Sequence, residues 1–403
     1  MSCGIVKGVA RLLNAPVRQS GVRAHNLALV LQTVANSTDP ISRAAVAGST
    51  GLTRATVSAL VDDLVAGSLL AEVEPPPRNG AGRPAVGLTL APEGPAGLGL
   101  EINVDYRAAC VVDLTGAVRH RLVEHADQRL SDAPTALAAL GRLAGQARDL
   151  AAADSLTLAG AALAVPGLVA AEGVVRVAPN LGWQDVAAPT LLGSSPALQG
   201  LPLTVDNEAN LAALSELGTA ELPPSFVYVS GEIGIGAGIV LDGVLYRGGR
   251  GWSGEIGHVP VAPQGPLCRC GARGCLEQYA GQEAVLRAAG TASVAELAAA
   301  AERGSPSALA ALTGAGTALG MVIATVVNLL DIDTIVLGGS YGALLPWLRT
   351  PVAEEVGRRV LTAEWSPVTL RASALGADAA MRGAAGAVLR TVLDDPAAWL
   401  ARS

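Results

Sequence analysis

The 403-residue sequence has a single lysine, Lys7, and a single phenylalanine, and aromatic residues make up 3% of it against an apolar share of 50%. Its cores must therefore be packed with small aliphatic side chains, and arginine carries nearly all the positive charge. Charged residues are also sparse, at 16%, yet the length and the apolar share exclude intrinsic disorder and suggest two or three domains. A signal-peptide core is missing at the amino terminus, so a cytoplasmic protein is expected. The uncharged stretch from Gly304 to Leu330 contains Gly314, Gly316, Gly320, Ser305, Pro306 and Asn328. Its composition argues against a membrane span and predicts a buried helix. Five cysteines, three of them within eight residues (Cys268, Cys270, Cys275), do not make the spread framework of a secreted protein.

The formal net charge of −7 is unevenly spread. Residues 1–90 carry eight basic and five acidic side chains, a net +3, which leaves −10 for the rest of the chain. Any nucleic-acid contact is expected in that first segment. Residues 1–22 show no periodicity and read as a flexible segment. From there Leu27, Val30, Leu31 and Val34 recur at i, i+3, i+4 and i+7, predicting a helix over about 23–36. Ser42 can cap a second helix, and Gly51 ends a turn. Thr53 can cap a third helix, with Val57, Leu60, Val61 and Leu64 on its inner face.

Three short helices with a tight turn before the third read as a helix-turn-helix, whose third helix would offer Arg54, Thr56 and Ser58 to the major groove. Two strand-like runs, Leu69–Val73 and Val86–Leu90, flank a Pro/Gly-rich tip carrying Arg78 and Arg83, as a wing reaching the minor groove would. Residues 23–90 are therefore expected to be a winged helix-turn-helix that binds operator DNA. A protein-interaction module of the same fold is the alternative.

After Gly97 the pattern changes to strands alternating with helices, which predicts an α/β body. The densest chemistry lies at His258-x9-Cys268-x-Cys270-x4-Cys275. One imidazole and three thiolates suit a closed tetrahedral zinc site, structural because no position is left for water. One Zn2+ per chain is expected.

The run Gly254-Glu255-Ile256-Gly257-His258, followed by Cys268-Arg269-Cys270-Gly271 and Gly274-Cys275-Leu276-Glu277, resembles the signature of the ROK family of sugar kinases and repressors. Val165-Pro166-Gly167, Pro179 to Trp183, Asp206 to Asn210, Gly234 to Gly238 and Asp331 to Gly339 extend the likeness over almost everything beyond residue 90. The resemblance implies an actin-like, hexokinase-like body of two α/β lobes over residues 97–403. Lobe 1 would take about 97–206 plus 383–403, and lobe 2 about 207–382. It also implies sugar contacts at Gly167, Asn180, Asn207, Glu208, Glu255, His258 and Glu277.

Three departures bear on catalysis. Where the family's kinases carry a catalytic Asp, this chain has Glu208; the added methylene moves a base by about 1 Å, which can cost on the order of 100-fold. The first phosphate loop reads Glu101-Ile102-Asn103-Val104-Asp105, and the second reads Glu232-Ile233-Gly234, each with acids in place of glycine or hydroxyl. The expectation is a sugar-responsive regulator, a repressor acting as a homodimer or homotetramer and not an enzyme. An active or bifunctional sugar kinase is the alternative.

Overall fold

A computed structural model describes residues 19–74, 86–219 and 222–402. Arg78, Arg83 and most of the segment 1–22 lie outside the described residues. The chain divides into two compact units, one joining residues up to Pro95 with those from Arg390 onward, the other formed by Ala96–Leu389.

In the first unit, α1 (Gln19–Ala35) buries the predicted stripe of Leu27, Val30, Leu31 and Val34. It starts four residues before the predicted 23, so the segment 1–22 is helical from Gln19. A two-residue strand β1 (Ile41–Ser42) leads into α2 (Arg43–Thr50), where Ser42 Oγ accepts the Ala45 N–H and Gly51 ends the helix in the left-handed region at φ 73°. Thr53 likewise caps α3 (Arg54–Ala66) by accepting the Thr56 N–H. Strands β2 (Leu70–Val73) and β3 (Gly87–Leu90) pair antiparallel, with β1 on the far edge of β3.

The second unit holds two five-stranded sheets. The first contains β4 (Pro95–Ile102), β5 (Tyr106–Asp113) and β6 (Val118–His125), then α4 (Ala133–Ala153) and β7 (Thr157–Val165). A small sheet of β8 (Leu168–Val169), β9 (Val175–Ala178) and β10 (Trp183–Val186), and the short α5 (Ala188–Gly193), precede β11 (Leu203–Asn207). Next come α6 (Glu208–Leu217), β12 (Phe226–Gly231), β13 (Ile235–Leu241) and β14 (Val244–Tyr246). Helices α7 (Glu277–Ala280), α8 (Gln282–Ala289), α9 (Val294–Glu302) and α10 (Pro306–Leu330) follow. The second sheet is completed by β15 (Thr334–Gly339) and, after α11 (Ser340–Arg359), by β16 (Thr369–Ala372).

Their strand orders are β11-β7-β4-β5-β6 and β14-β13-β12-β15-β16. Each sheet is a three-strand antiparallel meander extended on the side of its first strand. The uncharged stretch before Leu330 is α10, which is apolar and long enough to span a membrane by length alone. Leu312, Leu319, Val322 and Ile323 place it instead in the core of the second lobe, where Gly316 and Gly320 give α11 room to approach.

The carboxy terminus corrects the expected lobe boundary. Residues 383–403 are expected in lobe 1, but only those up to Leu389 stay with the body: from Arg390 onward, through the end of α12 (Ala379–Asp394) and α13 (Pro396–Leu400), the chain belongs to the amino-terminal unit. The cause is an apolar docking. Leu400 covers Gly67, where a Cβ would press on the leucine side chain, and Trp399 Nε1–H donates to the Gly67 carbonyl at 3.1 Å.

Candidate functional site

One cavity in the second unit is walled by all seven of the residues expected to touch sugar: Gly167, Asn180, Asn207, Glu208, Glu255, His258 and Glu277. Lobe 1 supplies Gly167 and Asn180 from the turns around the small sheet. Asn207 ends β11 and caps α6, its Oδ1 accepting the N–H groups of Ala209 and Asn210. Its Nδ2 donates to the Gly167 carbonyl at 3.1 Å and to Glu208 Oε2 at 2.8 Å. With both ends of the amide occupied, Asn207 orients Glu208 more than it offers free valences to a ligand. Gly234 is a point of close approach, since a Cβ there would lie 2.9 Å from Asn180 Nδ2 of lobe 1 and 3.2 Å from Glu277 Oε2.

Two polar side chains not expected in the wall also line it: Asn103, in the β4–β5 turn, and Glu232, in the β12–β13 turn. Read as lost phosphate loops, these turns gave no hint of a ligand role; their place between the first two strands of each sheet was the available signal. Burial pushes the Glu101, Glu208, Glu232 and Glu255 carboxyls upward. Glu101 rises to about 7, with a partial offset from Tyr106, whose hydroxyl donates to it at 2.6 Å. Glu232 rises to about 8, through burial and then through the charges of Glu101 and Asp105. Glu208 also stands well above the ordinary carboxylate range, chiefly through burial.

Beside the cavity, ligand atoms of His258, Cys268, Cys270 and Cys275 all lie within 4.8 Å of one another. The Cys270 and Cys275 sulfurs are 3.7 Å apart, close to the ~3.8 Å edge of a tetrahedron with ~2.3 Å zinc–sulfur bonds. His258 Nδ1 faces Cys268 Sγ at 3.8 Å, and its Nε2 faces Glu255 at 4.0 Å, so one imidazole borders both the thiols and the cavity. Gly274 at φ 68°, packed on the Ala262 carbonyl, permits the turn that returns Cys275 to the cluster. Burial and the adjoining thiols push Cys275 up to about 12, so a divalent ion is the charge that would hold these sulfurs as thiolates. The donor set fits zinc.

In the first unit, Arg54 opens α3 in an exposed position. It makes no ion pair among the described residues. Arg23 is paired with Asp63, and Arg43 with Asp62 and Glu72. Thr56 exchanges a hydroxyl contact with Thr53 at 2.9 Å, and Ser58 is half-buried on the same helix.

The ROK family profile matches residues 97–391. The chain belongs to the ROK family. It is 29% identical to the xylose repressor of Bacillus subtilis (strain 168) over 93% of this chain and 98% of that protein. The crystal structure of a ROK family transcriptional regulator homologous to the E. coli MLC protein matches 95% of this chain and all of that one, with a TM-score of 0.78 and 25% identity. A ROK family glucokinase from Streptomyces griseus, in complex with glucose and AMPPNP, matches 72% of this chain and 98% of its own, with a TM-score of 0.64 and 25% identity. This ROK chain therefore falls on the regulator branch, for the regulators match the head and body together.

Proposed function

We propose that this chain is a sugar-responsive transcriptional repressor of carbohydrate-metabolism genes, working in the cytoplasm without catalysing phosphoryl transfer. The coverage of its relatives carries this reading: the repressor extends over 93% of the chain, whereas the glucokinase stops at 72%. The amino-terminal unit is a winged helix-turn-helix. Arg54, Thr56 and Ser58 on α3 contact operator DNA in the major groove, and Arg78 and Arg83, outside the described residues, are the further candidates for DNA contact. A homodimer or homotetramer would place two such helices on adjacent half-sites.

The body binds sugar. Carboxylates and carboxamides accept from and donate to hydroxyls in pairs, and a buried set of this kind rejects analogues lacking one. Asn180, Glu208, Glu255, His258 and Glu277 make these contacts, with Gly167 and Asn207 fixing Glu208. Zinc, one ion per chain held by His258, Cys268, Cys270 and Cys275, would supply a structural crosslink that fixes the loop bearing Glu255, His258 and Glu277. Catalysis is not supported, because acids crowd the nucleotide side. Asp105, and Glu101 and Glu232 wherever they are ionised, would oppose the γ-phosphate, whose transfer depends on neutralised charge.

The test is a mobility shift of the chain's own promoter fragment, titrated with a monosaccharide panel beginning with xylose, beside a coupled kinase assay. Sugar-dependent release without ATP turnover is expected. Turnover well above background would overturn the non-enzymatic reading, and a fragment left unshifted at any salt would overturn DNA binding.

A further inference from the structure

Behind the cavity wall, Arg269 of the thiol loop reaches from lobe 2 to lobe 1. Its Nη1 donates to Asn180 Oδ1 at 3.1 Å, while its Nη2 donates to Glu283 Oε2 at 3.3 Å. The other oxygen of Glu283, on α8, accepts from Arg129 Nη1 at 2.8 Å, and Arg129 stands in the turn after β6 in lobe 1. Asp127 holds Arg129 in turn, accepting from its Nε at 2.9 Å and its Nη2 at 2.8 Å. Two arginines and two carboxylates thus form one network that crosses between the lobes twice, and neither Arg269 nor Glu283 lines the cavity itself. A guanidinium only donates, so the Asn180 atom that faces Arg269 is the carboxamide oxygen. The nitrogen is turned inward, toward Glu277 Oε2 across Gly234.

We infer that Arg269 is a positioning residue for the ligand of this cavity, acting through Asn180, and that Glu283 and Arg129 hold it in place. The inference rests on the reading of the cavity as a sugar site and adds to it residues outside the wall. With its oxygen engaged, Asn180 offers the cavity an N–H and no acceptor, beside a Glu277 carboxylate that accepts. One hydroxyl satisfies both, accepting from the amide and donating to the carboxylate. Without Arg269 the carboxamide turns freely and presents either end, so binding must first select the right one. The anchor consists of partly exposed ion pairs, which salt screens. Affinity for an uncharged sugar therefore acquires a salt dependence that the sugar alone would not give.

Isothermal titration of the full chain with D-xylose, D-glucose and N-acetylmannosamine tests this. For a sugar that binds, Arg269→Ala should weaken affinity about fivefold and Asn180→Ala by at least about tenfold. The double variant should match Asn180→Ala within about twofold, an overlap that a general loosening of the loop does not produce. Elemental analysis should find the metal content of Arg269→Ala equal to that of wild type; if it is lower, Glu283→Gln, outside the thiol loop, carries the test. Glu283→Gln should weaken binding about threefold and abolish the fall in affinity that wild type shows between about 0.1 and 1 M KCl. Wild-type affinity in either Arg269→Ala or Glu283→Gln overturns the inference, as does a double variant weakened by the product of the two single effects. If no sugar binds the wild type, the sugar reading itself fails, and this inference with it.

Discussion

The two lobes of the body share one strand order but spend their insertions differently. Lobe 1 stays close to the plain scheme, with only the small β8–β10 sheet and α5 set between its fourth and fifth strands. Lobe 2 places residues 247–333, with the thiol cluster and α7 to α10, between its third and fourth strands. That insertion supplies Glu255, His258 and Glu277, whereas lobe 1 contributes Gly167 and Asn180 from turns. The hairpins between the first and second strands occupy equivalent places, and both carry acids, Glu101 and Asp105 in one and Glu232 in the other. The sheets are thus interchangeable scaffolds, and the chemistry sits on what joins their strands.

Metal removal should break this comparison most severely, because the proposed ion site belongs to lobe 2. Chelation, or Cys275→Ser, should remove one zinc per chain, read by elemental analysis, and with it sugar binding. A structural site of this type can account for on the order of 10 kcal/mol of linked folding energy. Operator binding by the head should persist.

A smaller effect separates the acids of the two hairpins. Glu101 and Glu232 have raised carboxyls, so the folded protein holds protons that the unfolded chain releases. Stability from this source is complete below about 4.5 and is lost as the pH climbs to about 7 for Glu101 and about 8 for Glu232. The buried Glu101 alone corresponds to about 3 kcal/mol at most. Urea midpoints should fall between pH 5 and 8 by more in wild type than in a Glu101→Gln, Glu232→Gln double variant; equal slopes would contradict the shifts.

Head-directed changes should leave the body's ligand response intact. Arg54→Ala should weaken operator binding by about 1–3 kcal/mol and relax specificity, measured by mobility shift against scrambled operators. Trp399→Phe, which removes the bond to the Gly67 carbonyl, should cost the amino-terminal unit about 1 kcal/mol in denaturant melts.

Local signals in the sequence were legible where a side chain acts on its own backbone or repeats at a fixed period. Ser42, Thr53 and Asn207 cap as their types suggest, the two helical stripes are buried, and the His/Cys spacing closes into one cluster. The seven residues named from the family resemblance reach one cavity. Longer-range facts were hidden. Nothing in the apolar strands marks the shared strand order, because burial asks only for Ala, Val, Leu or Gly at those positions. The docking of Trp399 and Leu400 on α3 depends on Gly67, more than 300 residues away, and no local pattern encodes it. Glu232 was visible as a lost phosphate loop but not as a wall of the cavity, since that requires knowing which turns converge.

The measurement that bears most directly on a sugar-gated repressor is fluorescence anisotropy of a labelled promoter fragment with the full chain, without ATP, as a sugar shown to bind is titrated in. Wild type should release the fragment, with apparent affinity falling by at least about tenfold. Glu208→Ala should bind DNA as tightly as sugar-free wild type and ignore the sugar. An operator affinity unchanged by saturating sugar in the wild-type protein would contradict the regulator reading.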